Sequence, residues 1–132
     1  MIFIDTSALL ALLDRDDAFH DAAATVFRGL GGERRILTHE YVLVEATAIA
    51  QRRLGLSAVR ELTDGLLPLA EIAWVDERLH AEAREALLAA GRRGVSLVDW
   101  TSFIVMRRHG VRRAFTFDQD FAAEGFEVVP GA

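Results

Sequence analysis

Four carboxylates, Asp5, Glu45, Asp99 and Asp118, fall on apolar stretches of this sequence and are the residues best placed to do chemistry. Asp5 closes the run Met1-Ile2-Phe3-Ile4, and Asp118 sits between Phe117 and Gln119. At 100° per residue Glu45 lies between Tyr41 and Ile49, flanked by Val42-Leu43-Val44 and Ala46. Asp99 stands one turn before Phe103, in register with Ser102 and Met106. A carboxylate placed near a core without a partner costs several kcal/mol or takes up a proton. Gathered at one place, four of them repel and raise each other's pKa values unless a cation joins them. A ligand set of oxygens, without His or Cys, selects Mg²⁺ or Mn²⁺ over zinc. Four acids exceed the charge of one divalent ion. Either a second ion comes with the substrate, or one acid is protonated when no metal is bound.

Each acid also has a plainer reading. Glu45 could pair with Arg52 or Arg53. Ser96-Leu97-Val98-Asp99 fits a capping box, with Ser96 as N-cap. Asp5 could serve the N-terminus of a helix opening at Thr6, and Asp118 could close an Asx turn in Phe117-Asp118-Gln119-Asp120-Phe121. Beside the acids, Thr6, Ser7 and Thr116 supply hydroxyls for a water or a phosphate oxygen. For Thr6 and Ser7 helix capping is the alternative, for Thr116 an outward strand position. The four histidines, His20, His39, His80 and His109, fall on different elements without ligand spacing, and His20 and His39 read as surface or capping residues.

The elements that must carry these side chains alternate. Strands are expected at 1–5, 35–38, 70–75, 113–117 and 126–129. Helices are expected at 6–13, 19–30, 39–53 with Gly55 as its stop, and 57–67 with Ser57 as N-cap. Further helices are expected at 77–90 behind Asp76 and at 97–109, with a single turn at 119–123. Strands joined by crossover helices give a parallel sheet covered on both faces, a three-layer α/β/α sandwich with its site beyond the carboxyl ends of the strands. Asp5 and Asp118 occupy two such ends.

A chain of 132 residues, 52% hydrophobic, fits one domain over 1–132 with an ample core. No run approaches the roughly 18 apolar residues of a membrane helix. The N-terminus reads as no signal peptide, and there is no cysteine. The expected location is cytoplasmic, with no membrane partner. A net charge of −5 gives no basic footprint for a polyanion. All fifteen basic residues are arginine, ten of them in the doublets Arg34-Arg35, Arg52-Arg53, Arg92-Arg93, Arg107-Arg108 and Arg112-Arg113. Arginine suits bidentate phosphate contact, so RNA is permitted without being demanded.

Four segments in order resemble the PIN-domain family, and within it the VapC-type toxins of bacterial toxin–antitoxin pairs. They are Ile2-Phe3-Ile4-Asp5-Thr6-Ser7-Ala8, Thr38 to Ala46, Ser96-Leu97-Val98-Asp99, and Ala114 to Phe121 followed by Gly125-Phe126. The resemblance implies an α/β/α sandwich, Mg²⁺- or Mn²⁺-dependent endoribonuclease activity, a homodimer, and inhibition by a small cognate antitoxin. Asp5, Glu45, Asp99 and Asp118 match the family's acids. Asp5, Asp99 and Asp118 would hold metal directly and Glu45 through water or by orienting the nucleophile, with Asp120 a weaker candidate ligand. An RNA phosphodiester would then be hydrolysed by in-line attack of water.

Other classes fit less well. A receiver-type phosphoacceptor needs a strand-end lysine, and the chain has none. A haloacid-dehalogenase-like phosphatase needs a second acid where Ser7 stands. The serious rival is a non-catalytic PIN-like module that binds RNA or protein. Leu54, Leu56, Val59 and Leu66 could pack in a dimer or receive an antitoxin peptide, with ordinary core packing as the default reading.

Overall fold

The computed structural model describes residues 1–31 and 35–131. Arg34, half of one arginine doublet, lies outside them. Five short strands form one sheet: β1 (Ile2–Ile4), β2 (Ile36–His39), β3 (Ala70–Ala73), β4 (Arg113–Phe115) and β5 (Glu127–Val129). Their order is β3-β2-β1-β4-β5, and every neighbouring pair is parallel. Parallel strands need crossovers that cover the sheet, so the central strands read as unbroken apolar runs. Ile2, Phe3 and Ile4 of β1 and Ala114 and Phe115 of β4 are all buried.

Helices α1 (Thr6–Leu13) and α2 (His20–Gly29) join β1 to β2. Helices α3 (Glu40–Arg53) and α4 (Leu56–Arg60) join β2 to β3, α4 running on into a wider π turn at Glu61–Leu66. Helices α5 (Glu77–Ala90) and α6 (Leu97–Arg108) lead to β4, and α7 (Asp120–Ala123) leads to β5. The architecture is the expected α/β/α sandwich. Phe3, Phe103, Phe115 and Phe121 are fully buried at its centre.

Local chemistry sets most boundaries. The Asp76 carboxylate caps α5 by accepting from Leu79 N at 2.8 Å, and Gly91 ends the helix in the left-handed conformation at φ 64°. One expectation needs correction. Ser57 is not the cap of α4. That helix begins one residue earlier behind Gly55, whose φ of 93° both ends α3 and turns the chain into α4. Leu54, Val59 and Leu66 take the default expected of them and pack against the core, while Leu56 is 64% exposed.

What matters for chemistry is the seam between β1 and β4. The strands on either side of it lead away in opposite directions, and open parallel sheets bind ligands at such a switch point. Register pairs Phe3 with Ala114 and Ile4 with Phe115. The next residues, Asp5 and Thr116, therefore leave the sheet side by side.

Candidate active site

Asp5 follows β1 directly, and its backbone N–H donates to Phe115 O at 3.1 Å, which anchors it to β4. It holds the N-cap position of α1, yet its carboxylate makes no capping hydrogen bond. Its Oδ2 instead accepts from Thr116 Oγ1 at 3.0 Å and from Ser7 Oγ at 3.2 Å. Those hydroxyls are tied down in turn. Thr116 Oγ1 accepts from Asp118 N at 3.0 Å, and Ser7 Oγ accepts from Phe117 N at 2.9 Å. Ser7 and Thr116 are 3.1 Å apart, oxygen to oxygen. The helix-terminus reading of Asp5 gives way to a carboxylate braced by both strand ends.

Asp99 takes both of its expected parts. Its Oδ2 accepts from Ser96 N at 2.8 Å, and its own N–H donates to Ser96 Oγ at 3.1 Å, closing the capping box of α6. That uses one carboxylate oxygen and leaves Oδ1 for other work. Asp118 is alike: Oδ1 accepts from Asp120 N at 2.9 Å in an Asx turn, and Oδ2 remains. Asp120 begins α7 and meets the Arg92 guanidinium at 3.5 Å. Ligand oxygens of Asp99, Asp118 and Asp120 all lie within 4.8 Å of one another. Two oxygens bound to one Mg²⁺ at about 2.1 Å are at most about 4.2 Å apart. A small inward movement of these side chains thus suits an ion.

Glu45 is half-buried on α3, lining an apolar hollow of about 370 Å³ with Tyr41, Val44, His80, Leu97 and Val98. Among the described residues it makes no ion pair with Arg52 or Arg53. Of the five acids, only Asp120 has an arginine partner there.

The protonation behaviour matches a crowded, partly desolvated group of acids. Burial pushes Asp5 up to about 7, against the pull of the Thr116 hydrogen bond and with a further push from the charge of Asp99. Burial also raises Asp99, with Glu45 and Asp120 adding to it, and raises Asp118, with Asp99 and Asp120 adding to it. Asp99 is electrostatically coupled to the other four, which makes it the hub. A divalent ion would relieve all of these costs together. The donor set fits a hard ion, since no His or Cys is among the groups that meet. Thr6 Oγ1 is buried with no hydrogen-bond partner among the described residues, a donor left for a water or an oxygen from outside the protein.

The sequence understated two residues. Asp120 belongs to the closest trio, where spacing alone ranked it below Asp5. His39 is fully buried, which its polarity did not suggest. Its Nδ1 accepts from Tyr41 N and Val42 N, capping α3, so the ring proton sits on Nε2 and is donated to Ser102 Oγ at 2.8 Å. Ser102 passes its own proton to Val98 O on α6. One neutral imidazole thus fastens the helix of Glu45 to the helix of Asp99, and burial lowers its pKa to about 4.

Comparison with known proteins agrees with this geometry. The family model described as PIN domain matches residues 2–126. The 23S rRNA-specific endonuclease VapC20 of Mycobacterium tuberculosis is 37% identical over 132 residues, covering 98% of this chain and 99% of its own. The crystal structure of that Mycobacterium tuberculosis protein, described as a Sarcin-Ricin loop cleaving toxin, superposes with a TM-score of 0.85 at 35% identity over 96% of each chain. FitAcB from Neisseria gonorrhoeae has the same fold, with a TM-score of 0.71 at 19% identity over 97% of this chain and 96% of its own.

Proposed function

The chain belongs to the PIN-domain family, and from that premise we propose that it is a divalent-metal-dependent endoribonuclease, the toxin of a toxin–antitoxin pair. The observation that carries this reading is the convergence of Asp99, Asp118 and Asp120 within 4.8 Å, with Asp5 coupled to Asp99 from the end of β1. The metal would be Mg²⁺ or Mn²⁺, held by Asp5, Asp99 and Asp118 with Asp120 as a fourth oxygen donor. When bound, such an ion polarises a phosphoryl oxygen and makes water a better nucleophile at neutral pH.

The protein's own contribution is placement. Ser7 and Thr116 fix the rotamer of Asp5. Ser96 fixes that of Asp99, and Asp120 N fixes that of Asp118. Each of these acids thus spends one oxygen on the fold and keeps the other free for a ligand. Glu45, held on a helix anchored through His39, is set to accept a proton from the attacking water or to orient it. Arg92, already beside Asp120, is placed to meet a phosphate oxygen when the acid turns to metal.

Ribosomal RNA of the large subunit is the substrate we propose first, because the relative named for 23S rRNA matches over nearly its whole length. An antitoxin would block the acids with a basic side chain, and the protein would act as a homodimer in the cytoplasm. Among the described residues no helix is long and apolar enough to cross a membrane. The test is to incubate purified ribosomes with the protein and Mg²⁺ and to map new RNA ends. A discrete cut that Asp5→Asn and Asp99→Asn both abolish, while remaining folded, is expected. Full cutting by both variants would overturn the assignment.

A further inference from the structure

Of the eight phenylalanines, Phe19 alone lies open, 51% exposed, at the turn between α1 and α2. Its ring lies flat on Phe117, centroids 4.5 Å apart and planes 13° from parallel. Both rings are held by their backbones. Phe19 N donates to Asp17 Oδ1 at 2.7 Å and Phe19 O accepts from Ala23 N at 2.9 Å, while Phe117 N donates to Ser7 Oγ. The stack is therefore bolted to the hydroxyl that braces Asp5, and Phe117 directly precedes Asp118.

Two hollows meet at this pair. One, of about 300 Å³, reaches Ser7, Leu10 and Arg53; the other, of about 610 Å³, reaches Thr116, Asp118 and Pro130. Asp14 and Asp17 share the first hollow with Arg53, so the surroundings hold no excess of positive charge that could draw phosphates. A protein acting on RNA from such an acidic edge needs a source of affinity that carries no charge. Flat aromatic faces supply one, since unpaired bases of RNA loops splay out and stack on them, at about 1–3 kcal/mol per base.

We propose that the Phe19–Phe117 pair is a stacking platform for an unpaired nucleobase beside the cleaved phosphate. The inference rests on the ribonuclease reading and adds a substrate-holding role for Phe19. Phe117 sets the ring's plane and Asp17 its position. Phe19 is half exposed and is not one of the acids, so its loss should be felt in substrate capture far more than in the chemical step.

The experiment measures kcat and KM for wild type, Phe19→Trp, Phe19→Leu and Phe19→Ala on an RNA hairpin that wild type cuts. A companion hairpin carries fluorescent 2-aminopurine beside the cut. Leu and Ala should raise KM about thirtyfold, the middle of the stacking range, with kcat moving much less. Trp should stay within about twofold. Wild type and Phe19→Trp should quench 2-aminopurine, and Phe19→Leu should not. If Leu matches wild type in KM and in quenching, the platform is refuted while the ribonuclease reading stands. The platform is equally refuted if Phe19→Leu weakens capture of a protein partner and leaves KM for RNA unchanged. If wild type cuts no RNA, both readings fall together.

Discussion

At the scale of single residues, the carboxylates of this site work against the stability of the fold that holds them. Asp5 is charged with difficulty, its pKa pushed up to about 7 by burial. Raised from its ordinary value to about 7, the ionised carboxyl costs about 4 kcal/mol of stability when the metal-free protein is held above pH 7. Because the folded-state pKa is raised, the favourable contribution of protonated Asp5 is complete below about pH 4 and is lost as pH rises through about 7. Asp5→Asn keeps an acceptor for Ser7 and Thr116 and removes that charge. The variant should lose cleavage yet melt several degrees higher than metal-free wild type at pH 8. In thermal melts the difference should grow between pH 4 and pH 7 and then level off. A lower melting temperature for Asp5→Asn at pH 8 would mean that the buried charge is not the source of strain. The acids themselves were legible in the sequence because they interrupt apolar runs. Asp120 was harder to rank, since its closeness to Asp99 depends on how α6 and α7 meet, and its partner Arg92 lies 28 residues away.

At the scale of elements, the site is as good as the angle between α3 and α6. Helix α5 was readable from Asp76 and Gly91, and α6 from its Ser96–Asp99 box, because capping chemistry is written within four residues. The tie between α3 and α6 was not readable, because His39 meets Ser102 across 63 positions. A histidine before a helix looks like a surface cap until that partner is known. The widened turn at Glu61–Leu66 escaped for a similar reason: local propensity says helix, and only its packing sets the pitch. Burial lowers the His39 pKa to about 4, so its stabilisation is present above about pH 6.5 and is lost as pH falls through about 4. Across that range it amounts to about 3 kcal/mol. His39→Phe keeps the stacking on Phe3 but orphans Tyr41 N and Val42 N and removes the donor to Ser102 Oγ, which keeps only its own bond to Val98 O. It should cost about 2 kcal/mol in denaturant unfolding at pH 7, and much less at pH 4.5. An equal cost at both pH values would show that the ring serves only as filler.

At the scale of the whole molecule, the order β3-β2-β1-β4-β5 makes the function possible, because it brings the ends of β1 and β4 together at the seam. The sandwich itself could be read from the alternation of short apolar runs with helical stretches. The overall charge of −5 was the misleading observation, since it argues against a nucleic-acid partner when taken as a total. A local group of acids neutralised by metal would remove the objection. Metal binding is then also a folding force: a ligand at 100 times its Kd stabilises by about 2.7 kcal/mol. Saturating Mn²⁺ should therefore raise the melting temperature of wild type and leave that of Asp99→Asn nearly unmoved. The most direct measurement of the central claim is calorimetric titration of the pure protein with Mn²⁺ at pH 7.5, alongside Asp99→Asn and Asp118→Asn. Saturable uptake by wild type, with protons released and affinity reduced at least tenfold in each variant, is the predicted result. No uptake by wild type, or equal uptake by all three, would contradict it.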